Sequence, residues 1–175
     1  GFMIAEVAKR IHENKQKLPF GLYIVNAVQE EVGLHGAAMI AHRLQPDLAI
    51  VTDVTHDTQS PLYNKIKEGD IACSKGPVLS HAPAVQRNVL RMLIEVAQKH
   101  QIPFQRQASS SRTGTDTDAF AYSNAGVASG LISLPLKYMH TTVEMVHKQD
   151  IEHVIALMYQ FLVQLDPQHS FSYFK

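Results

Sequence analysis

The sequence predicts an α/β fold: an open, mixed but mostly parallel sheet in three layers, with helices on both faces. Segments with apolar residues at helical spacing alternate along the chain with short apolar runs. Those runs, such as "DLAIV" and "GLISLPL", are nearly continuous and read as strands covered on both faces. No internal repeat, low-complexity tract or linker interrupts the 175 residues, so one unit, 1–175, is expected.

In chain order, Phe2, Ile4, Val7, Ala8 and Ile11 lie on one helical face, and this first helix stops before Pro19. "GLYIVNAVQ", residues 21–29, is apolar and β-rich, bounded by a Pro-Phe-Gly turn and an acidic pair, and is expected as a buried strand. "GLHGAAMIAHRL" reads as a second helix with small residues on one face, and "PDLAIVTDV" as a buried strand ending at Asp53. "EGDIACSKGPVLS" suggests one or two short strands around the Lys75-Gly76-Pro77 turn. Val85, Val89, Leu90, Leu93, Ile94 and Ala97 define the next helix. "IPFQRQAS" is expected as a strand, followed by the polar loop "SSRTGTDTDA" and a short helix around 120–124. "GVASGLISLPL" is the next strand and "DIEHVIALMYQFLVQL" the last helix.

Composition excludes several functions. Sixteen Lys and Arg balance sixteen Asp and Glu, so no net field recruits nucleic acid or an acidic membrane surface. No apolar run approaches the ~20 residues of a membrane-spanning helix, and no leader pattern is present. Cys73 is alone, which rules out an internal disulfide or a thiolate cluster, and a reducing, cytoplasmic setting is expected. The chain has no G-x-S-x-G elbow and no glycine-rich phosphate loop, which demotes nucleophilic hydrolysis and nucleotide binding.

Open α/β sheets bind ligands beyond the carboxyl ends of their strands. Three ionisable groups fall at such expected ends: Glu30 with Glu31, Asp53, and His140. Carboxylates and neutral imidazole are ligands suited to zinc, cobalt or manganese. A carboxylate beside such a site, itself unbound, can take a proton from activated water. Each group also has an ordinary reading: a solvated turn for the Glu pair, an N-cap for Asp53, a surface histidine for His140, and a capping loop for "TGTDTDA". Their coincidence at strand ends adds weight to a metal site, and the ordinary readings stay open beside it. Neighbours on a regular strand face opposite ways, so Glu30 and Glu31 can share a site only if the chain turns there, as Gly33 permits.

"QEEVGLHGA", "AIVTDVTHD", "KGPVLSHAP", "TGTDTDA" and "KYMHTTVEMV" occur here in the order and spacing of one family. The chain is similar to the catalytic domain of the cobalt- or zinc-dependent aminopeptidases. These include glutamyl aminopeptidase, deblocking aminopeptidase and the tetrahedral (TET) peptidases, and some members carry endoglucanase labels. The resemblance implies hydrolysis of N-terminal peptide bonds with two divalent ions, zinc or cobalt, with manganese as a further choice. It implies Glu30 as general base, Glu31 and His140 as ligands of one ion, and Asp53 as a ligand of the other. The Gly114-Thr115-Asp116 loop resembles a substrate-pocket segment, with Thr115 and either Asp116 or Asp118 as the counterparts, since the aspartate repeats.

The resemblance also marks departures. The family has an upstream His-x-Asp histidine, an upstream aspartate bridging both ions, and a β-rich insertion used in oligomer assembly; none is in this sequence. Lys137 stands where many members carry arginine, which keeps the charge and changes the hydrogen-bond geometry. Residues 1–175 thus resemble the C-terminal part of such a catalytic domain, holding at most part of a metal site and expected to be inactive alone. The parent protein is expected to take peptide substrates as a homo-oligomer, from dimer to dodecamer, without nucleic acid or membrane partners. The alternatives are a metal-free or truncated homologue serving as a binding or assembly module, or a related metallohydrolase acting on another amide.

Overall fold

The computed structural model describes residues 1–171. Its helices are α1 (Phe2–Glu13), α2 (His35–Leu44), α3 (Lys65–Glu68), α4 (Arg87–Lys99), α5 (Asp116–Ala121) and α6 (Lys148–Gln164). Its strands are β1 (Leu48–His56), β2 (Val78–His81), β3 (Gln105–Ala108), β4 (Ala128–Lys137) and β5 (Met145–Val146). The apolar run of β4 buries all of its interior residues and makes it the centre of the sheet. β1 lies parallel to β4, while β2 is antiparallel to it, and the order is β1-β4-β2-β3. β3 runs parallel to β2, and β5 pairs antiparallel with the end of β4.

Helices cover both faces, giving three layers. α1, α4 and α6 pack on one side, where Val7, Val89, Leu93, Ile132, Leu157 and Phe161 share one core. In α4 the buried residues Val89, Leu90, Leu93, Val96 and Ala97 follow a single helical stripe. Each large aliphatic side chain so buried stabilises the fold by roughly 1.5–3 kcal/mol. α2 and α5 cover the other side with a smaller core of Ala37, Ala41, Ala49, Phe120 and Val127. The small residues of α2 let its backbone approach closely.

Several elements differ from the sequence expectation. Residues 21–29 form no strand: Tyr23 is 67% exposed and Val28 66%, and no neighbouring strand offers them a ladder. β1 does not end at Asp53 but runs on to His56, because its parallel pairing with β4 continues to His56↔Leu136. Despite its apolar run, β1 is mostly half-buried, because only one of its edges is paired. Of "EGDIACSKGPVLS" only β2 is a strand; the first half is an irregular turn region, and Cys73 lies in a turn. That region is tied by side chains instead, with Asp57 accepting from the Cys73 amide at 2.8 Å and Gln105 accepting from the Ala72 amide at 2.9 Å. α5 begins at Asp116, earlier than expected, because the Thr115 hydroxyl caps it by accepting from the Thr117 amide. The short α3 and β5 were not foreseen.

Candidate functional site

The acidic pair sits on a tight reversal leading into α2. Gln29 and Leu34 take left-handed backbone angles, and Gly33 lies at φ +125°. The Glu30 carbonyl accepts the amides of Gly33 at 3.1 Å and Leu34 at 3.0 Å, closing the turn. Gly36 has no room for a side chain: a Cβ there would stand 2.3 Å from the Val28 carbonyl oxygen, which accepts the Gly36 amide at 3.0 Å. The turn that lets adjacent glutamates serve one site is therefore present, built by backbone geometry around the Gly33 reversal and this close approach.

His140 comes from the other end of the sheet sequence. β4 and β5 close a hairpin over residues 138–144, in which Tyr138 and His140 both have positive φ. The His140 amide donates to Glu144 Oε1 at 2.6 Å, and Thr141 Oγ1 donates to the Tyr138 carbonyl at 2.6 Å. These bonds turn the imidazole toward the acidic pair, with Nε2 3.5 Å from Glu31 Oε2. Both of those side chains are largely exposed.

Asp53, inside β1 rather than at its end, and Asp116, the first residue of α5, complete the cluster. Asp53 Oδ1 accepts from the Val54 amide at 2.7 Å. Burial pushes its carboxyl up from the ordinary range; the Val54 amide works against this, and the charge of Glu31 adds to it. Burial also raises Asp116, reinforced by the charge of Asp53. Glu30 is raised by burial first, then by repulsion from Asp53, Glu31 and Asp116, with His140 opposing. Four carboxylates thus share one field beside one imidazole.

The repeated aspartates of the "TGTDTDA" loop have separate positions. Asp118 folds back on its own loop, accepting the Thr113 amide at 3.1 Å and the Gly114 amide at 3.0 Å. Thr115 is engaged within the loop as well, against Thr113 and Thr117 hydroxyls. Asp116 is the one that feels the charge of Asp53, and its Oδ1 is buried with no hydrogen-bond partner. Beside the loop lies a cavity of about 260 Å³ lined by hydroxyls that include Thr55, Ser80, Ser109, Thr113, Thr115 and Ser133. Two contributors escaped the sequence reading. Glu144 holds the His140 backbone, and the only signal for it was its place in "KYMHTTVEMV"; the Thr52 hydroxyl, also buried without a partner, lines the same second cavity as Asp116. Lys137 pairs with a carboxylate other than these, its Nζ 3.9 Å from buried Asp57 Oδ2.

The donor chemistry of Glu31, Asp53 and His140 suits a divalent ion of the zinc or cobalt kind. The number of donors does not complete one: among the described residues, no three His, Cys, Asp or Glu side chains converge closely enough to hold an ion. The orphaned Asp116 oxygen and the mutual repulsion of the carboxylates leave negative charge unanswered at this place. Among the described residues, no helix is long and apolar enough to cross a membrane.

Comparison with known proteins bears on the fold and the family of the chain. The pattern of the M42 glutamyl aminopeptidase family matches residues 2–157. The chain is 33% identical over 166 residues to the lysyl aminopeptidase of Pyrococcus furiosus, spanning 95% of this chain and 46% of that one. It superposes with a TM-score of 0.88 on the TET aminopeptidase from the marine sediment archaeon Thaumarchaeota archaeon SCGC AB-539-E09, at 30% identity, over 95% of this chain and 46% of that structure. A further match, TM-score 0.66 and 29% identity over 79% of this chain and 40% of the other, is the Pyrococcus horikoshii TET1 peptidase, described as assembling into a tetrahedron or a large octahedral shell. The chain therefore spans about half the length of the relatives that it matches. With the five motifs in place and the match covering most of its length, the chain belongs to the M42 glutamyl aminopeptidase family.

Proposed function

We propose that the protein to which residues 1–175 belong is a metal-dependent aminopeptidase, hydrolysing the N-terminal bond of peptides. The observation that supports the reading is family membership over residues 2–157, together with the Glu31–His140 pair at 3.5 Å and the electrostatic influence of Asp53, Glu31 and Asp116 on Glu30. Glu31 and His140 are proposed ligands of one divalent ion and Asp53 of a second, with zinc or cobalt preferred and manganese the alternative. The remaining ligands would come from outside these residues, which form the C-terminal part of the catalytic domain in this reading. When bound, the ions supply Lewis-acid activation of water and of the scissile carbonyl.

In this mechanism Glu30 stays unbound and acts as the base. It takes a proton as a water oxygen bonds to the carbonyl carbon, then returns the proton to the leaving amine nitrogen as the C–N bond breaks. In the metal-free chain, burial and then its acidic neighbours raise the Glu30 carboxyl above its ordinary value. Asp116, in the field of Asp53 and with an unpartnered oxygen, is the proposed pocket aspartate; Asp118 and Thr115 hold the loop that presents it. By analogy with the P. horikoshii TET1 peptidase, a homo-oligomeric assembly is proposed, in a cytoplasmic setting.

The test is hydrolysis by the full-length protein, before and after chelation, of peptides with a free N-terminal amine and of the same peptides N-acylated. Turnover of the free-amine series alone, lost on chelation and restored by zinc or cobalt, is expected. Cleavage of the acylated series instead would assign the site to another amide. No turnover of either series with metal restored would favour a binding or assembly module.

A further inference from the structure

Two strands of the sheet each carry one serine in an otherwise apolar run: Ser80 in "PVLSH" and Ser133 in "LISLPL". Both are more than nine-tenths buried, at 7% and 2% exposure. Both line the cavity of about 260 Å³ beside the Gly114 loop, and among the described residues neither hydroxyl has a hydrogen-bond partner. Buried hydroxyls ordinarily have one. The place left for a partner is inside the cavity.

The sheet register sets these residues in a row. Ser133 lies opposite Asp53 of β1 and Val78 of β2, and Ser80 lies opposite Gln107 of β3. Side chains alternate along a strand, so Asp53, Thr55, Ser133, Ser80 and Gln107 stand on one face of the sheet. Gln107 is already committed: its Oε1 accepts from Thr55 Oγ1 at 3.0 Å, and its Nε2 donates to the Glu68 carbonyl at 3.0 Å. The two serines are the uncommitted members of the row. Asp53 joins the row to the candidate site, and Thr115, which precedes Asp116, lines the same cavity.

The chemistry of this lining selects among side chains. Its acidic and basic residues are Glu68 and exposed Lys67, adjacent in α3 and opposite in sign, and His56 is tied to the Tyr63 hydroxyl at 3.0 Å. An ammonium or a carboxylate seated against the serines would find no counter-ion of its own. An aliphatic side chain would displace water and leave both hydroxyls without partners. A carboxamide offers a donor and an acceptor together, and each hydroxyl can serve either. The volume equals about eight or nine waters at ~30 Å³ each, which is room for a glutamine or asparagine side chain. We infer that this cavity takes the side chain of the substrate's N-terminal residue and selects glutamine or asparagine there, with Ser80 and Ser133 as the specificity-determining contacts. That the side chain belongs to a peptide under hydrolysis rests on the function proposed above; the selection of a carboxamide does not.

The test uses the full-length, metal-loaded protein to which residues 1–175 belong. Its kcat/KM is measured on dipeptides X-Ala with X as Gln, Asn, Leu, Lys or Glu, and its binding of the free amino acids Gln, Asn, Leu, Lys and Glu is measured by calorimetry. Gln and Asn should exceed Leu, Lys and Glu by about tenfold or more in both series. Ser80→Ala combined with Ser133→Ala should lower the Gln-to-Leu ratio by about tenfold, because both hydroxyl contacts are gone. A preference for Leu, Lys or Glu, or an unchanged ratio in the folded double variant, would overturn the inference. Where the double variant does not fold, the parent series decides alone. Selective binding of Gln without turnover of any peptide would keep the cavity's selectivity and count against the aminopeptidase reading. Turnover without a carboxamide preference would do the reverse, and neither turnover nor selective binding would count against both.

Discussion

Asp116 shows how a single side chain can be constrained by what surrounds it. Its oxygen is buried without a partner and it lies in the field of Asp53, so keeping both ionised destabilises the metal-free chain. The folded pKa values of Asp116, Asp53 and Glu30 are raised, so their charged forms weigh against folding at neutral pH. That penalty is relieved as pH falls through the folded values, and is gone below the unfolded carboxylate range near ~4. Asp57 has the opposite sign: burial alone would raise it, but the Cys73 and Gln59 amides and Lys137 hold it below its ordinary value. Its contribution is present above the unfolded value and is lost as pH falls through the lower folded one. The metal-free chain should therefore gain thermal stability from pH 7 toward about 5 and lose it below about 4. Asp116→Asn should raise the midpoint at pH 7 and flatten the gain, as followed by calorimetry across pH. An unchanged profile would mean that Asp116 does not share the field of Asp53. The sequence left Asp116 and Asp118 interchangeable, because hydrogen bonds to loop amides, not residue type, separate them.

Among the elements, those legible in the sequence were the ones with long periodicity: α1, α4, α6 and β4 each carry a pattern that packing then rewards. Short elements stabilised by particular bonds were not legible. β5 has two residues and follows from the hairpin of His140, where the backbone turns twice through positive φ. Glu144 secures that turn, so Glu144→Ala should loosen His140 and lower metal affinity of the full-length protein by about 10–100-fold, measured by competition with a chelator. Unaltered affinity would mean that the hairpin holds the imidazole without it. The turn at residues 74–76 depends on a different carboxylate: fully buried Asp150 of α6 accepts the Ser74 amide at 2.6 Å and the Gly76 amide at 2.8 Å. Asp150→Ala strands those two donors and should cost about 2–3 kcal/mol in urea unfolding. A loss below about 0.5 kcal/mol would show that water replaces the carboxylate.

The molecule as a whole is a three-layer sheet whose two cores are both formed, but whose β1 edge is open. Its helix–strand order could be read from periodicity, whereas the state of residues 21–29 could not. A strand pattern specifies a side chain's burial, while a strand also needs a neighbour's backbone, and local sequence carries no record of that neighbour. The candidate site divides in the same way. Glu30, Glu31, Asp53 and His140 were candidates by motif, but Asp53 lies within its strand, and the approach of His140 to Glu31 lies between the Gly33 reversal and the β4–β5 hairpin, which the motifs do not show. The central claim is that Glu30 is the base and Glu31 a ligand, two neighbours with separate duties. The most direct measurement compares Glu30→Gln with the parent full-length protein, reading peptide turnover and metal content on the same preparation. Turnover should fall by about 10²–10⁴-fold with metal content unchanged; retained turnover, or metal lost along with activity, would contradict it.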